Sequence, residues 1–296
     1  MAEGAAVVPS LSLIQALNTP VGWQANLSLN YRRTAHGCAL QFSHDGPLRV
    51  LKSLYPEGPG VCHSVLVHPP GGLVEGDVLD IQLRVQPGAH ALVSTPGATR
   101  FYKSAGTPAV QQVQLTLESD ARLEWLPLET LAYPGCMARN HMTLSLAPGA
   151  ELLAWDITAL GLPATRQPFD RGSLHQRLSW PGHWLEQAHI QADDHCLLES
   201  PLGLAGHRCL GTLFLACGTE MGVQRRDALL EAVRTALQGH PLAMTTGVTC
   251  PNGHVLVVRT LAPLVEPVMD LFKQLWAQLR SQAWNLTPHP PRIWSV

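Results

Sequence analysis

Side chains that bind metal ions or transfer protons gather around the segment LVHPPGGLVEGD at 66–77. His68 precedes two prolines and two glycines, and Glu75 and Asp77 follow them, while Cys62 and His63 lie just upstream. Imidazole, thiolate and carboxylate groups bind borderline metal ions, whereas Pro and Gly build tight turns. The segment is therefore a metal corner, a phosphate cradle or a plain chain reversal.

The spacing of the cysteines and histidines does not indicate a structural zinc site. Such sites usually carry paired ligands as CxxC or HxxxH, and the sequence contains neither. If Cys62 and His63 lie on a strand, their side chains point to opposite faces, so they do not converge on one ion with His68. A weak, transient site for a soft or borderline metal stays open.

Catalytic and phosphate-binding motifs are equally scarce. The sequence has no GxSxG elbow, although Glu124, Glu129 and Asp156 can converge in space as a carboxylate group. PPGGLVEGD matches neither GxGxxG nor GxxxxGK(S/T), and strand-like residues follow it. Proline presets φ and glycine permits positive φ, so we favour a turn over a ligand cradle here and in TPGAT at 95–99.

The composition limits the partners and the compartment. Only 14% of the 296 residues are charged and the net charge is −2, against about 25% charged residues in an average protein, which predicts exposed apolar surface and no nucleic-acid or membrane partner. Seven cysteines without CxxC are typical of a reduced intracellular protein. We find no signal peptide and no apolar run of about 18 residues, and expect a cytoplasmic protein.

The elements that must position these residues are mainly strands. We expect a flexible tail at 1–20 and a single domain at 21–296, divided into a β-rich body at 21–220 and an α/β C-terminal subregion at 221–296. Within the body a strand, a tight turn and a second strand recur, with turns at Gly88, Asp120 and Gly149, spaced by 32 and then 29 residues. This repeat predicts stacked, β-helix-like strands; an antiparallel sandwich is the alternative.

Two helices are predicted near the C-terminus, one at about 225–238 and one at about 264–280, separated by a hairpin at Asn252-Gly253. The second carries an apolar stripe that includes Met269 and Trp276. We expect both helices to pack on the body, with the stripes as a partner face in the alternative interpretation. The predicted fold class is therefore mainly β, with β-helix-like stacked strands and two C-terminal α-helices.

Four motifs in order carry a resemblance to a known family. They are GPLRVLKSLYPEG at 46–58, CHSVLVHPPGGLVEGD at 62–77, STPGATRFYKS at 94–104 and LEWLPLETLAY at 123–133. The chain resembles the urease accessory protein D family, also called UreD or UreH, from about Trp23 to the C-terminal PRIW at 291–294. It departs from the family pattern at Glu75, at Leu128 and in GLPATRQPF at 161–169.

The resemblance implies a β-helical body with two helices and a urease maturation factor that is not an enzyme. Such a protein is a scaffold that binds urease apoprotein and recruits accessory protein F directly and the GTPase accessory protein G through F, for nickel insertion into urease. No cofactor would be tightly bound, and nickel would pass transiently. The alternatives are a metallochaperone that itself carries nickel and a carboxylate-dependent hydrolase on a β-helix.

A delivery route must release nickel, so a diffuse ligand set suits it better than a tight site. The candidate residues of this transient route are Cys62, His63, His68, Glu75, Asp77, Glu124, Glu129 and Asp156.

Overall fold

Two stacked β-sheets form the body of residues 22–295, the part of the chain that this computed structural model describes. The predicted tail at 1–20 lies outside the described residues. The first strands are β1 (Gln24–Thr34), β2 (Gly37–Asp45), β3 (Arg49–Leu54), β4 (Val61–Val67), β5 (Val78–Val85), β6 (His90–Ser94), β7 (Thr99–Phe101), β8 (Ala109–Leu117) and β9 (Arg122–Trp125). They are followed by β10 (Thr130–Ala132), β11 (Met137–Leu146), β12 (Glu151–Leu160), β13 (Ser173–Trp180), β14 (Trp184–Gln191), β15 (Cys209–Cys217), β16 (Thr246–Asn252) and β17 (Val255–Ala262).

The strands form a seven-stranded front sheet, in the order β14-β13-β11-β8-β5-β1-β2, and a ten-stranded back sheet. The back sheet runs β16-β17-β15-β12-β9-β6-β4-β3, and in addition the short β10 pairs with β12 and with the short β7. In the front sheet β1, β5, β8, β11 and β13 are parallel, and in the back sheet β4, β6, β9 and β12 are parallel. The chain therefore coils from front to back, which confirms the β-helix-like prediction. Antiparallel pairs occur only toward the ends of the coil in the described residues.

The repeated turns join the two sheets. Gly88, Asp120 and Gly149 all have positive φ, at 65°, 57° and 78°. The Gly88 amide donates to Ser119 O at 3.1 Å, and the Asp120 amide donates to Pro148 O at 3.4 Å. Each turn thus hydrogen-bonds to the next, and the left-handed conformation explains the preference for Gly and Asp at this position.

Replacing Gly149 with Ala is expected to destabilise the protein on the order of 1–3 kcal/mol, since the new residue would be held at positive φ. Its Cβ would also lie 2.1 Å from Asp120 Oδ1. Gly239 is the matched control, because its φ is +72° but a Cβ added there would have no atom within 4 Å. Urea unfolding should show a larger loss for Gly149→Ala than for Gly239→Ala, and equal losses would mean that turn stacking adds nothing.

Three α-helices occur in the described residues, α1 (His195–Glu199), α2 (Val223–Leu237) and α3 (Val265–Trp284). The two predicted C-terminal helices are confirmed as α2 and α3, and α3 continues beyond the predicted end to Trp284. The Asn252-Gly253 hairpin joins β16 to β17 as expected. Because β15 pairs with both β12 and β17, the back sheet continues across residue 220. The division into a body at 21–220 and a subregion at 221–296 stays a prediction.

The apolar core has two layers. One lies between the sheets and contains residues such as Leu83, Leu115 and Leu152. The other lies between the back sheet and the helices and contains Trp155 and Phe272. The back sheet is covered on both faces at β12, so β12 is buried along almost its whole length, whereas β5 alternates between buried and more exposed residues.

The stripe of α3 belongs to this second layer. Met269, Phe272, Trp276 and Trp284 are all buried. The hypothesis that this stripe is a free partner face is therefore wrong, and packing on the body is what the structure shows. Within the described residues, no helix is both long and apolar enough to span a membrane.

Candidate functional site

A buried ionic network joins α3 to the β body. Arg280 is fully buried near the end of α3. Its guanidinium contacts Glu57, in the loop before β4, and its Nε donates to Glu124 Oε1 on β9 at 3.2 Å. Its third side, Nη1, donates to Thr287 O at 2.6 Å. One cation therefore bridges two carboxylates and fixes the chain that follows the helix.

Further polar side chains complete the network at both carboxylates. His63 Nε2 lies 2.6 Å from Glu57 Oε1, and His90 Nε2 lies 2.8 Å from Glu124 Oε1. Trp276 Nε1 donates to Glu124 Oε2 at 2.6 Å. Both oxygens of Glu124 are thus engaged inside the protein, which is how an interior carboxylate avoids the cost of an unpaired buried charge.

The charge state of Glu57 follows from these contacts. Burial alone raises the pKa of the Glu57 carboxyl, but hydrogen bonds from His63 and Arg280, together with the positive charge of Arg280, bring that pKa below its ordinary value. The carboxylate is therefore ionised at neutral pH and forms a true ion pair with Arg280.

The sequence motifs converge on this network. The motif at 46–58 supplies Glu57, the motif at 62–77 supplies His63, and the motif at 123–133 supplies Glu124. The motif at 94–104 begins with Ser94, whose Oγ accepts a hydrogen bond from Trp294 Nε1 of the C-terminal PRIW at 3.0 Å. The motif segments thus share a structural role, which is to hold α3 and the C-terminal segment on the body.

The segment at 66–77 is a turn in this structure. The Gly71 amide donates to His68 O at 2.9 Å, and Gly71 has φ +80°. Asp77 accepts from the backbone amides of Trp23, at 2.8 Å, and Val74, at 2.9 Å. Glu75 accepts backbone amides of the loop at 105–107. Both carboxylates therefore accept hydrogen bonds from backbone amides. These contacts fit the prediction of a turn over a ligand-binding loop.

The two Pro-Gly turns nevertheless meet. Residues of HPPGG at 68–72 and of TPGAT at 95–99 line a common cavity of about 140 Å³ together with Trp125. Burial lowers the pKa of His68, while the charge of Asp77 partly raises it. The neutral imidazole of His68 is thus available as a hydrogen-bonding or ligating group at this cavity.

The remaining candidate residues lie in separate places. Asp156 lines a cleft of about 450 Å³, and Glu129 lines a groove with Glu266, Lys273 and residues of the divergent segment at 161–169. Among residues 22–295, no group of three or more His, Cys, Asp or Glu side chains is arranged to hold a metal ion. Of the eight candidates, the structure brings only His63 and Glu124 into one network, through Arg280. The nickel route along them stays a prediction.

Comparison with known proteins settles the family. A family model described as UreD urease accessory protein matches residues 24–295. The chain belongs to the UreD family. The urease accessory protein UreD of Polaromonas sp. strain JS666 is 55% identical over 274 residues, which cover 93% of this chain and 99% of the relative. The UreD proteins of Albidiferax ferrireducens and Variovorax paradoxus are 57% and 51% identical, again over 93% of this chain and 99% and 100% of their own lengths.

The family match extends over the β body and both C-terminal helices, so the resemblance read from the motifs is confirmed. Sequence reasoning missed three members of the UreD network, Glu57, His90 and Arg280. One signal was available for Arg280, because it continues the i, i+4 row of Val268, Phe272 and Trp276 on the apolar face of α3. A charged residue in such a row is rarely buried without a partner.

Asp156 gives this UreD chain a pH-dependent stability. Burial raises the pKa of Asp156, and hydrogen bonds from Thr158, Gln176 and Asn140 only partly oppose the shift. An acid with a raised pKa in the fold contributes stability below its unfolded pKa of about 3.9, and that contribution is lost as pH rises through the folded value.

Asp156→Asn is neutral at every pH and lacks this loss. Its stability relative to the unsubstituted chain should therefore rise between about pH 4 and pH 7. Urea midpoints measured across that range provide the test. Asp80→Asn is the control, because Asp80 lies on the outer face of the front sheet and its side chain accepts one hydrogen bond, from Gln82 at 3.3 Å, among residues 22–295. If the difference in urea midpoint between Asp156→Asn and the unsubstituted chain does not change with pH, the role given to Asp156 is contradicted.

Proposed function

We propose that this UreD-family chain is a urease maturation factor that acts as a scaffold in the cytoplasm. It binds urease apoprotein and recruits accessory protein F directly and accessory protein G through F, so that nickel is inserted into the urease active site. The observation that carries the proposal is the Arg280 network. In this network, polar residues of the family's motifs join α3 to the body. Because those polar residues are hydrogen-bonded inside the protein, we place the partner-binding function on the surface.

Four exposed apolar side chains lie on two edge strands at one end of the coil, and this region is here called the β2–β3 edge. It consists of Phe42 on β2 and of Leu51, Leu54 and Tyr55 on and after β3, each at least 43% exposed. The strands β2 and β3 are the edges of the front and back sheets at the same end of the coil. Exposed apolar side chains beside unpaired strand edges are typical of protein interfaces, so we assign partner docking to this edge.

Nickel is cargo in this proposal. Its passage would be transient, along side chains such as His68, Glu129 and Asp156, which line separate cavities. The metallochaperone and hydrolase alternatives receive no specific support from the geometry. Glu124 has both oxygens engaged in the interior, so it does not form an accessible carboxylate pair with Glu129.

The test is a co-purification of this chain with tagged accessory protein F from the same source, followed by addition of urease apoprotein. The scaffold proposal expects one soluble complex that retains the apoprotein. If the chain binds neither accessory protein F nor urease apoprotein, the scaffold proposal is overturned.

The docking edge is tested in the same assay with Leu51→Ser/Leu54→Ser. The control is Met244→Ser, because Met244 is 95% exposed and lies next to β16, at the opposite edge of the back sheet. Retention of a partner should fall about tenfold or more for the double variant, as when interface anchors each worth more than about 1 kcal/mol are removed, and should not change for Met244→Ser. The reverse result would move the docking surface to the β16 edge.

A further inference from the structure

Side chains that carry or can accept a positive charge share one area of the front sheet, here called the β11–β14 patch. Its residues are Arg139 and His141 on β11, His175 and Arg177 on β13, and His189 on β14. Successive side chains on a strand point to opposite faces, and the buried residues next to the patch are Ala138, Leu174 and Ile190. The patch therefore lies on the outer face of the sheet, away from the core.

The strand register places the patch residues side by side. Arg139 is paired with His175, and His141 is paired with Arg177, so the four residues form a rectangle with the arginines at opposite corners. Across the other diagonal, His141 Nε2 lies 3.2 Å from His175 Nδ1. His189 extends the rectangle, because it is paired with His175 and the two ring centroids lie 5.9 Å apart. The five groups thus form one continuous surface.

The paired neighbours of the patch carry no negative charge. They are Val110 and Gln112 on β8, and Gln187 on β14. Glu186, also on β14, lies on the inner side and pairs with Arg259 of the back sheet. Among residues 22–295, neither Arg139 nor Arg177 forms an ion pair. The positive charge of the patch is therefore not balanced by these neighbours.

Positive groups at this spacing repel one another. Burial lowers the pKa of His141, and three neighbouring positive groups lower that pKa further. These groups are His175, Arg139 and Arg177. Like charges directly opposite each other on paired strands are destabilising, and the patch is opposite in sign to the whole chain, which has a net charge of −2. A bound carboxylate would relieve the repulsion, so the patch suits an acidic ligand.

We propose that the β11–β14 patch is a docking surface for an acidic segment of a partner protein, whose carboxylates accept hydrogen bonds from Arg139 and Arg177. A strand spacing of about 4.8 Å and a rise of about 3.3 Å per residue place the Cα atoms of the two arginines roughly 8 Å apart. Alternate carboxylates of an extended segment have a similar spacing of about 7 Å. Arginine binds carboxylates through two parallel hydrogen bonds, and the outer face of a sheet is broad, so a protein segment fits it better than a small anion, which favours a concave site.

The patch and the β2–β3 edge lie at opposite ends of the front sheet, which runs β14-β13-β11-β8-β5-β1-β2. Two proteins can therefore bind this chain without covering the same strands. The inference rests on the proposed scaffold function for the need of a second partner. Its test contains no urease protein, so the two proposals fail separately.

The test is the fluorescence anisotropy of a labelled oligoglutamate peptide titrated with the full chain. A chelator in the buffer prevents metal ions from bridging imidazole and carboxylate groups. Arg139→Gln/Arg177→Gln should weaken binding about tenfold, as expected for the loss of two exposed ion pairs. Both arginines are exposed, and the urea midpoint of this variant should not fall, because the substitutions remove repulsion.

Arg32→Gln/Arg84→Gln is the matched control, because it removes the same charge from β1 and β5 of the same sheet. Its peptide affinity should stay within about twofold, since exposed charges more than about 8 Å apart are largely screened at physiological salt. Equal losses for the two double variants would mean that only the total charge matters. That result, or no binding by the unsubstituted chain, would overturn the proposal.

The histidines add a pH readout. Binding should tighten between about pH 8 and about pH 6, because the imidazoles become protonated while glutamate stays ionised. His141→Gln/His175→Gln should reduce this change. Displacement of the peptide by inorganic phosphate at a similar concentration would assign the patch to small anions instead. Tighter binding of a single-stranded oligonucleotide of equal charge would assign it to nucleic acid, and either result would overturn the docking of an acidic protein segment.

Discussion

Replacing Arg280 with Met is expected to lower the free energy of unfolding by about 3–5 kcal/mol, the cost of removing one partner from a buried ion pair. The substitution keeps an apolar stem of similar length but leaves Glu57 and Glu124 without their shared cation. It also removes the bond from Nη1 to Thr287 O, at 2.6 Å. Because Arg280 joins α3 to the body, limited proteolysis should cut the chain near α3 in the variant first. Urea unfolding followed by circular dichroism measures the loss.

A surface arginine provides the control for this change. Arg84 forms an ion pair with Glu118, but its side chain is 63% exposed. Exposed pairs contribute about 0–1 kcal/mol, so Arg84→Met should change the urea midpoint little. If both substitutions had equal effects, the buried network would not be what attaches α3.

The β-helical body could be predicted because its signals are local. Gly88, Asp120 and Gly149 recur at similar spacing, and each is flanked by alternating apolar residues that the structure confirms as strands. Left-handed turn residues and strand periodicity are properties of a few consecutive residues. The parallel pairing is not local. The repeat predicts the parallel pairing, because stacked copies of one unit bury a continuous core.

The network could not be predicted in the same way, because its partners are far apart in sequence. Glu124 and Arg280 are 156 positions apart, and Glu57 and Arg280 are 223 apart. Imidazole and carboxylate bind metals, so the sequence predicts His63 and Glu124 as candidate nickel ligands. In the structure, His63 instead contacts Glu57, and Glu124 instead contacts Arg280 and His90. A single sequence does not show which charge neutralises a buried carboxylate.

This arrangement explains why motif residues that could bind a metal serve in this chain as internal contacts. The motif segments that carry the family resemblance contain Glu57, His63 and Glu124, and the contacts of these three side chains are with the chain itself. Side chains that are less tied to the interior, such as those of the β2–β3 edge, lie on the surface where a partner would bind. The proposed scaffold role would require a rigid body that presents a surface, and a fully paired buried network favours such rigidity.

The second large effect is expected for Trp294→Ala in the C-terminal PRIW, which should lower the free energy of unfolding by about 3–5 kcal/mol, as for other large aromatic truncations in cores. Trp294 is buried, and its ring centroid lies 5.2 Å from that of Trp155 and 5.1 Å from that of Trp276. Its Nε1 donates to Ser94 at 3.0 Å, and its carbonyl accepts from Lys273 at 3.2 Å. The ring therefore packs between the back sheet and α3.

Trp23→Ala is the matched control, because Trp23 has the same side chain but is 63% exposed. Its bonds to Asp77 and Val78 use backbone atoms, which alanine keeps, so the cost should stay within about 0.5 kcal/mol. Near-ultraviolet circular dichroism adds a second readout, because only Trp294→Ala removes a ring from the packed group with Trp155 and Trp276. A stable Trp294→Ala with an unchanged spectrum would show that the C-terminal segment does not close the core over α3.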